Sequence, residues 1–135
     1  MPETQKIVCN NVWKIFGAYP EQTLKDLDLS LSRAEIQART GHVVAVKDVS
    51  FEVNTGETFV VMGLSGSGKS TLVRCISRLI EPTAGAMIID GEDIMSYDLA
   101  KLTELRRYRM SMVLQHFGLF PHRKVIDNIS FGLEI

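Results

Sequence analysis

A lysine and a hydroxyl behind three glycines are the residues of this chain best suited to chemistry. Gly63-Leu64-Ser65-Gly66-Ser67-Gly68-Lys69-Ser70-Thr71 sets them in the spacing G-x-x-x-x-G-K-[ST]. Gly63, Gly66 and Gly68 let the backbone turn tightly and approach a ligand where a Cβ would collide. The loop N–H groups can then converge as an anion nest, backed by the positive end of a following helix. Lys69 adds a full charge toward the outer phosphates, and the Ser70 hydroxyl can ligate a Mg²⁺ that bridges two of them. With Ser65, Ser67 and Thr71 these residues form a candidate cradle for a nucleoside triphosphate.

Such a loop needs a strand before it and a helix behind it. Residues 58–62 (TFVVM) are a short apolar, β-rich run, which predicts a buried parallel strand. Leu72, Val73, Ile76, Leu79 and Ile80 recur at helical spacing, so a helix is expected to start inside the motif. It should end at Glu81-Pro82, because proline lacks an N–H and restricts its predecessor. Upstream, residues 49–53 alternate, and Asn54-Thr55-Gly56-Glu57 reads as a hairpin turn into the motif strand. Downstream, Thr83-Ala84-Gly85 reads as a turn, 86–90 as a strand, Gly91 as another turn, and 110–114 (MSMVL) as a buried strand running into Gln115. Between Gly17 and Val43, Leu24, Leu27 and Leu31 have helical spacing. Ser32-x-x-Glu35 is a capping box that could start a second helix ending near Thr40-Gly41.

The order of these elements resembles that of ATP-binding-cassette (ABC) ATPases. The resemblance implies an α/β P-loop NTPase fold, an ABC nucleotide-binding domain with an N-terminal antiparallel β portion. It also implies ATP and Mg²⁺ as cofactors. Gln115, ending the run MVLQ, matches the family's Q-loop glutamine, which contacts Mg²⁺ or its water, so Gln115 joins Lys69 in the catalytic set and Ser70 in the metal set. Phe16, in VWKIFG, stands where the family stacks an aromatic on adenine. The stretches GLSGSGKSTLVRCISRLIEPTAG, QHFGLFPH and VWKIFG, with the long segment 17–42, are similar to the quaternary-amine branch, the importers of glycine betaine, proline betaine and choline. Leu114 replaces the usual Phe before the glutamine, and Cys75 and Ser77 replace residues often larger or amidic; none of these touches phosphate chemistry. On this reading residues 1–135 are a partial ABC ATPase domain, with 17–42 a helical insertion and 43–135 the strand, phosphate-loop, helix and Q-loop region.

The family's signature sequence, the strand ending in Asp-Glu, the D-loop and the switch histidine are not found in the chain. The expectation is therefore an incomplete core with an apolar edge beside the phosphate-loop strand, inactive and poorly soluble alone. The resemblance implies a peripheral subunit on the cytoplasmic face of the inner or plasma membrane. Its partners would be a transmembrane permease, a second ATPase subunit and, indirectly, a substrate-binding protein. Two alternatives stay open: a nucleotide-binding product without turnover, and an ABC ATPase serving another substrate.

Composition is that of an ordinary globular piece of 135 residues, 45% hydrophobic and 23% charged, with a net charge of −1 that gives no reason to expect nucleic acid as a partner. No apolar run approaches the ~18 residues of a membrane span, and the N-terminus is no secretory signal. Cys9 and Cys75 lack metal or disulfide spacing and read as buried thiols. His116 and His122 read as loop residues, His122 facing a membrane partner. Arg106, Arg107 and Arg109 close a helix whose Leu99, Leu102 and Leu105 form an apolar stripe. Asp90 and Asp93 read as turn and loop residues rather than metal ligands. Phe117, Leu119, Phe120 and Pro121 make an apolar run whose expected role is docking of a membrane subunit's coupling helix, packing beneath the loop being the plainer reading.

Overall fold

The scaffold of the molecule is a four-stranded antiparallel sheet in the order β2-β1-β3-β4, seen in a computed structural model that describes residues 4–115 and 118–134. β1 (Gln5–Phe16) lies between β2 (Val43–Asn54) and β3 (Ala84–Ile89), and β4 (Glu92–Asp93) pairs with β3. On β1, Cys9, Val12 and Ile15 are buried at intervals of three rather than two. Register irregularities between them account for this, since each extra residue returns the side chains to the same face. At the first irregularity Asn11 takes a φ of 48° and Asp48 opposite it 49°, conformations that Asn and Asp tolerate. The Asn11 side chain donates to Asp48 (2.8 Å) and its N–H to the Ser50 hydroxyl (2.8 Å), which fixes the bend. Gly85 on β3 crosses β1 at this point. A Cβ there would stand 2.6 Å from the Asn11 carbonyl oxygen and 2.7 Å from the Val12 Cα.

The bend lets β1 serve two cores. The larger gathers Cys9, Val12 and Met87 from the sheet with Leu72 and Cys75 of α3 (Lys69–Ile76) and Leu102 and Leu105 of α4 (Leu99–Tyr108). Burial, and next the neighbouring Cys75, push the Cys9 thiol up to about 11, so both free cysteines are inert core groups. The smaller core joins Ile15 and Val44 to Ile36 of α2 (Arg33–Thr40), with Trp13, Leu24, Leu27 and Leu31 packed against it. Leu24 belongs to the short α1 (Pro20–Lys25), while Leu27 and Leu31 follow that helix in the chain.

α2 follows its sequence signals closely. The Ser32 hydroxyl accepts the Glu35 N–H (3.3 Å), the Glu35 carboxylate accepts the Ser32 N–H (2.8 Å), and Gly41 closes the helix in the left-handed conformation. The Ser32 side chain, and next its backbone, hold the Glu35 carboxyl below its ordinary value of 4.5. A lowered folded-state value contributes stability above the ordinary value, and that stability is lost as pH falls through the folded-state value. Amide chemical shifts of residues 33–40 should therefore report loosening of α2 below about pH 4.5, and Ser32→Ala should weaken that dependence.

Other expectations are corrected. α3 ends at Ile76 rather than at Glu81. Arg78 adopts a φ of 49°, and the Arg106 guanidinium of α4 donates to the carbonyls of Ser77 (3.0 Å) and Arg78 (2.6 Å), capping the helix from outside. Arg106 thus serves α3 rather than its own helix, while Arg109 pairs with Asp90 (3.4 Å). Ala84 and Gly85 lie in β3 rather than in a turn, and Leu99 is exposed, leaving only Leu102 and Leu105 of the stripe buried.

The largest correction concerns the two apolar runs. Residues 58–62 and 110–114 form no strand, because a strand exists only through ladder hydrogen bonds and neither run finds a partner among the described residues. Met62 is 86% and Val113 98% exposed. The Asn54 turn is present, but β2 pairs with β1, so no hairpin enters the motif; only the Phe51 and Phe59 rings stack across the turn, 4.7 Å apart. The antiparallel portion of the expected fold is thus built, and the parallel sheet is not formed among the described residues.

The segment 118–134 contains a helix that the sequence signals did not indicate, α5 (Val125–Glu134). Asn128 ties the preceding loop to it: its side-chain oxygen accepts the Phe120 N–H (2.7 Å) and its amide donates to the Lys124 carbonyl (3.0 Å). The Phe120 ring meets Phe131 at 4.7 Å, with the Arg123 guanidinium over both rings. Phe120 therefore packs on α5 while staying 36% exposed, and Leu119 is 68% exposed; His116 and Phe117 lie outside the described residues.

Candidate functional site

The glycine loop sits where β2 and α3 meet. Gly68 is the residue that permits it: φ is +96°, and a Cβ would lie 2.1 Å from the Ala45 carbonyl oxygen of β2. Gly68 also stands at the amino end of α3, and no side chain caps that end. The first N–H groups of the helix are therefore offered to a ligand, with the helix dipole behind them. Gly66 is left-handed as well, and a Cβ on Gly63 would meet the Ser67 hydroxyl at 2.7 Å. The loop is tightened by the Ser67 N–H donating to the Leu64 carbonyl (3.2 Å).

Lys69 is held over this loop. Its ammonium donates to the carbonyls of Gly63 (2.8 Å) and Leu64 (2.7 Å) and approaches the Ser67 hydroxyl at 3.3 Å. Ser65 and Ser70 are exposed and Thr71 half-buried.

Of the hollows that border the lysine, two hold the residues singled out from the sequence. One, about 280 Å³, is lined by Phe16, Arg33, Gly66, Lys69, Ser70 and Thr71 among others. The bent β1 thus delivers the Phe16 ring, 41% exposed, to the same hollow as the phosphate loop, although Gly63 lies 47 positions after Phe16 in the chain. The Lys14 ammonium lies 4.9 Å from the ring centroid and donates to the Glu81 carbonyl (2.8 Å), holding the ring from one side. The other hollow, about 310 Å³, brings Gln115 together with Lys69 and Ser70. Every residue singled out from the sequence for phosphate, metal or base therefore lies in the loop or lines a hollow that Lys69 and Ser70 share.

For a metal, the relevant oxygens are the Ser70 hydroxyl and the Gln115 amide on the second hollow. Both are hard donors that fit Mg²⁺, an ion that keeps waters and substrate phosphates and needs few protein ligands. Among the described residues no cluster of three His, Cys, Asp or Glu side chains could hold a metal. Asp90 is engaged by Lys6 (2.5 Å), and Asp93 accepts the Met95 N–H (3.0 Å), so both have structural partners. His122 is exposed beside Phe120, 5.8 Å between ring centroids.

Two residues of the site are not marked by the sequence motifs. Lys14 could have been found, since it lies two positions before Phe16 on a strand and so shares its face. Arg33, which donates to the Gly66 carbonyl at 2.8 Å, is reached only through the tertiary fold.

Known proteins resemble this chain in sequence and in fold. The ABC transporter family model matches residues 46–134. The chain is 48% identical over 130 residues to the glycine betaine/proline betaine transport system ATP-binding protein ProV of Escherichia coli (strain K12), covering 96% of this chain and 32% of ProV. It is 53% identical over 129 residues to the trimethylamine N-oxide transport system ATP-binding protein TmoW of Ruegeria pomeroyi, covering 96% of this chain and 38% of TmoW. It spans about a third of the length of these curated relatives. Among solved structures it resembles the dimeric ATP-binding cassette MJ0796 bound to ADP and Pi, with a TM-score of 0.73 and 28% identity over 95% of this chain and 47% of that one.

Proposed function

Since this chain belongs to the ABC transporter family, we propose that it is the front part of the ATPase subunit of a bacterial importer, one that takes up glycine betaine, proline betaine or choline-type osmolytes. The observation that carries the nucleotide part is the hollow shared by Phe16 and the phosphate loop, which offers an aromatic face and an anion cradle at once. The names of the relatives support the substrate class, and the similarity to TmoW extends it to small methylated amines in general.

In this reading the loop amides and Lys69 hold the ATP phosphates, and the Phe16 ring stacks on adenine. Ser70 and Gln115 present oxygens to Mg²⁺, which, when bound, offsets phosphate charge during transfer to water. The relevant domain division is 17–42 as a helical insertion and 43–135 as the nucleotide-handling region of a partial domain. The whole protein would hydrolyse ATP to ADP and phosphate, paired with a second ATPase subunit, on the cytoplasmic face of the membrane. A permease would be its direct partner and a substrate-binding protein its indirect one; among the described residues no helix is long and apolar enough to cross a membrane itself. The chain alone should bind without turnover, because signature, switch histidine and the Asp-Glu strand do not occur in its 135 residues.

The deciding experiment is titration of the chain with Mg-ATP and with magnesium tripolyphosphate, alongside a phosphate-release assay. Mg-ATP should bind more tightly than tripolyphosphate by roughly 1–3 kcal/mol, the worth of one stacked base. Phe16→Ala should erase that difference, and no phosphate should be released. Absence of saturable Mg-ATP binding would overturn the reading; release that depends on Lys69 would overturn the claim of inactivity.

A further inference from the structure

The helix pair between β1 and β2 does more than fill the smaller core. Ile36 anchors α2 in that core and the capping box fixes its first turn, so Arg33, the first residue of the helix, is set at a defined place. That place is the rim of the nucleotide hollow, where Arg33 stands with Phe16, Gly66, Lys69, Ser70 and Thr71. One guanidinium nitrogen donates to the Gly66 carbonyl at 2.8 Å. Among the described residues this is its only hydrogen bond, and no carboxylate forms an ion pair with it. A guanidinium carries five N–H donors in a planar fork that matches a phosphate, so most of its donor capacity is left for a ligand. A cation without an acidic partner, beside an anion cradle, is what an anionic ligand would complete.

We propose that Arg33 is a direct ligand of the bound nucleotide's phosphates, supplied by the insertion and steered to the loop by the Gly66 carbonyl. The inference rests on the nucleotide-binding reading above and adds to it a second cation that lies outside the phosphate-loop motif. It also gives the insertion a role: any event that moves α2 changes the charge facing the phosphates. The plainer account is that Arg33 only braces the loop through the Gly66 carbonyl, and a neutral donor would serve that purpose equally well.

Arg33→Gln separates the two, since it keeps an N–H donor for Gly66 and removes the charge. Wild-type chain and variant would be titrated with Mg-ATP and with adenosine at about 0.05 M and 1 M salt, where screening lengths are roughly 14 and 3 Å. The variant should bind Mg-ATP about tenfold more weakly at low salt, the scale of one charge-assisted contact. The deficit should shrink at high salt, and adenosine affinity should be unchanged. Equal Mg-ATP affinity in variant and wild type would overturn the proposal, as would a deficit that ignores salt or extends to adenosine. If the wild type itself binds no Mg-ATP, the nucleotide reading falls and this one with it; if only the variant comparison fails, Arg33 alone is misassigned.

Discussion

Lys69→Ala is expected to lower affinity for Mg-ATP by about a hundredfold or more, while His122→Ala leaves it unchanged. Lys69 is the charged member of the loop, and its ammonium reaches three loop oxygens within 3.3 Å, so the same position faces any anion seated there. Hydrogen bonds to charged groups contribute roughly 1.5–3 kcal/mol each, and removing two of them from a bound phosphate costs about 3 kcal/mol or more. His122 lies in the loop before α5, edge-on to Phe120, and lines none of three hollows beside Lys69. Fluorescent nucleotide titration of both variants, with circular dichroism to check folding, measures the contrast. Equal losses would show that the site is elsewhere.

Gly68→Ala should be the most damaging single methyl in the chain's binding region. Its new Cβ would stand 2.1 Å from the Ala45 carbonyl oxygen, a backbone atom of β2 that cannot swing aside, and φ there is +96°. The strained backbone costs about 1–3 kcal/mol and the overpacking about the same again, so a loss of roughly 2–6 kcal/mol is expected. Because total stabilities of small domains are about 5–15 kcal/mol, most of the folded population is at risk. Denaturant unfolding of Gly68→Ala against Gly41→Ala tests this, since at Gly41 (φ +70°) no atom lies within 4 Å of the new methyl. A Gly68 variant no less stable than the Gly41 one would refute the close approach to β2.

The exposed apolar runs connect these predictions to the behaviour of the isolated chain. Residues 58–62 lead directly into the loop, and Val60 is 68% and Met62 86% exposed. Unpaired backbone beside exposed apolar side chains is a template for association with other chains. Poor solubility of the 135-residue chain remains an expectation, to be checked by the soluble fraction on expression, and these exposed side chains are the surface it would act through.

Local signals are legible wherever a few adjacent residues decide the conformation. The capping box at Ser32 and Glu35, the Gly41 cap, the helix starting at Lys69 and the glycine loop itself are all of this kind, because each is closed by bonds within about six residues. The end of α3 is not legible, because Arg106, about 30 residues further along the chain, terminates it. The runs 58–62 and 110–114 look like strands because apolar, β-branched side chains suit a sheet, yet pairing needs a neighbour that composition cannot supply. α5 escapes a reading by pattern because its register with the loop before it hangs on Asn128, a residue with no helical signal of its own.

Residue order alone determines the kind of chemistry available: a loop that can cradle phosphate, a hydroxyl and an amide for a hard metal, and an aromatic ring near the N-terminus. These are properties of side chains and short spacings. Their assembly into one site is a different matter, because Phe16, Arg33, Lys69 and Gln115 are spread over about 100 residues. Only the bend in β1, the two cores on either side of it and the approach of Gly68 to Ala45 bring them to two adjoining hollows. Those are long-range interactions, and no local pattern encodes them.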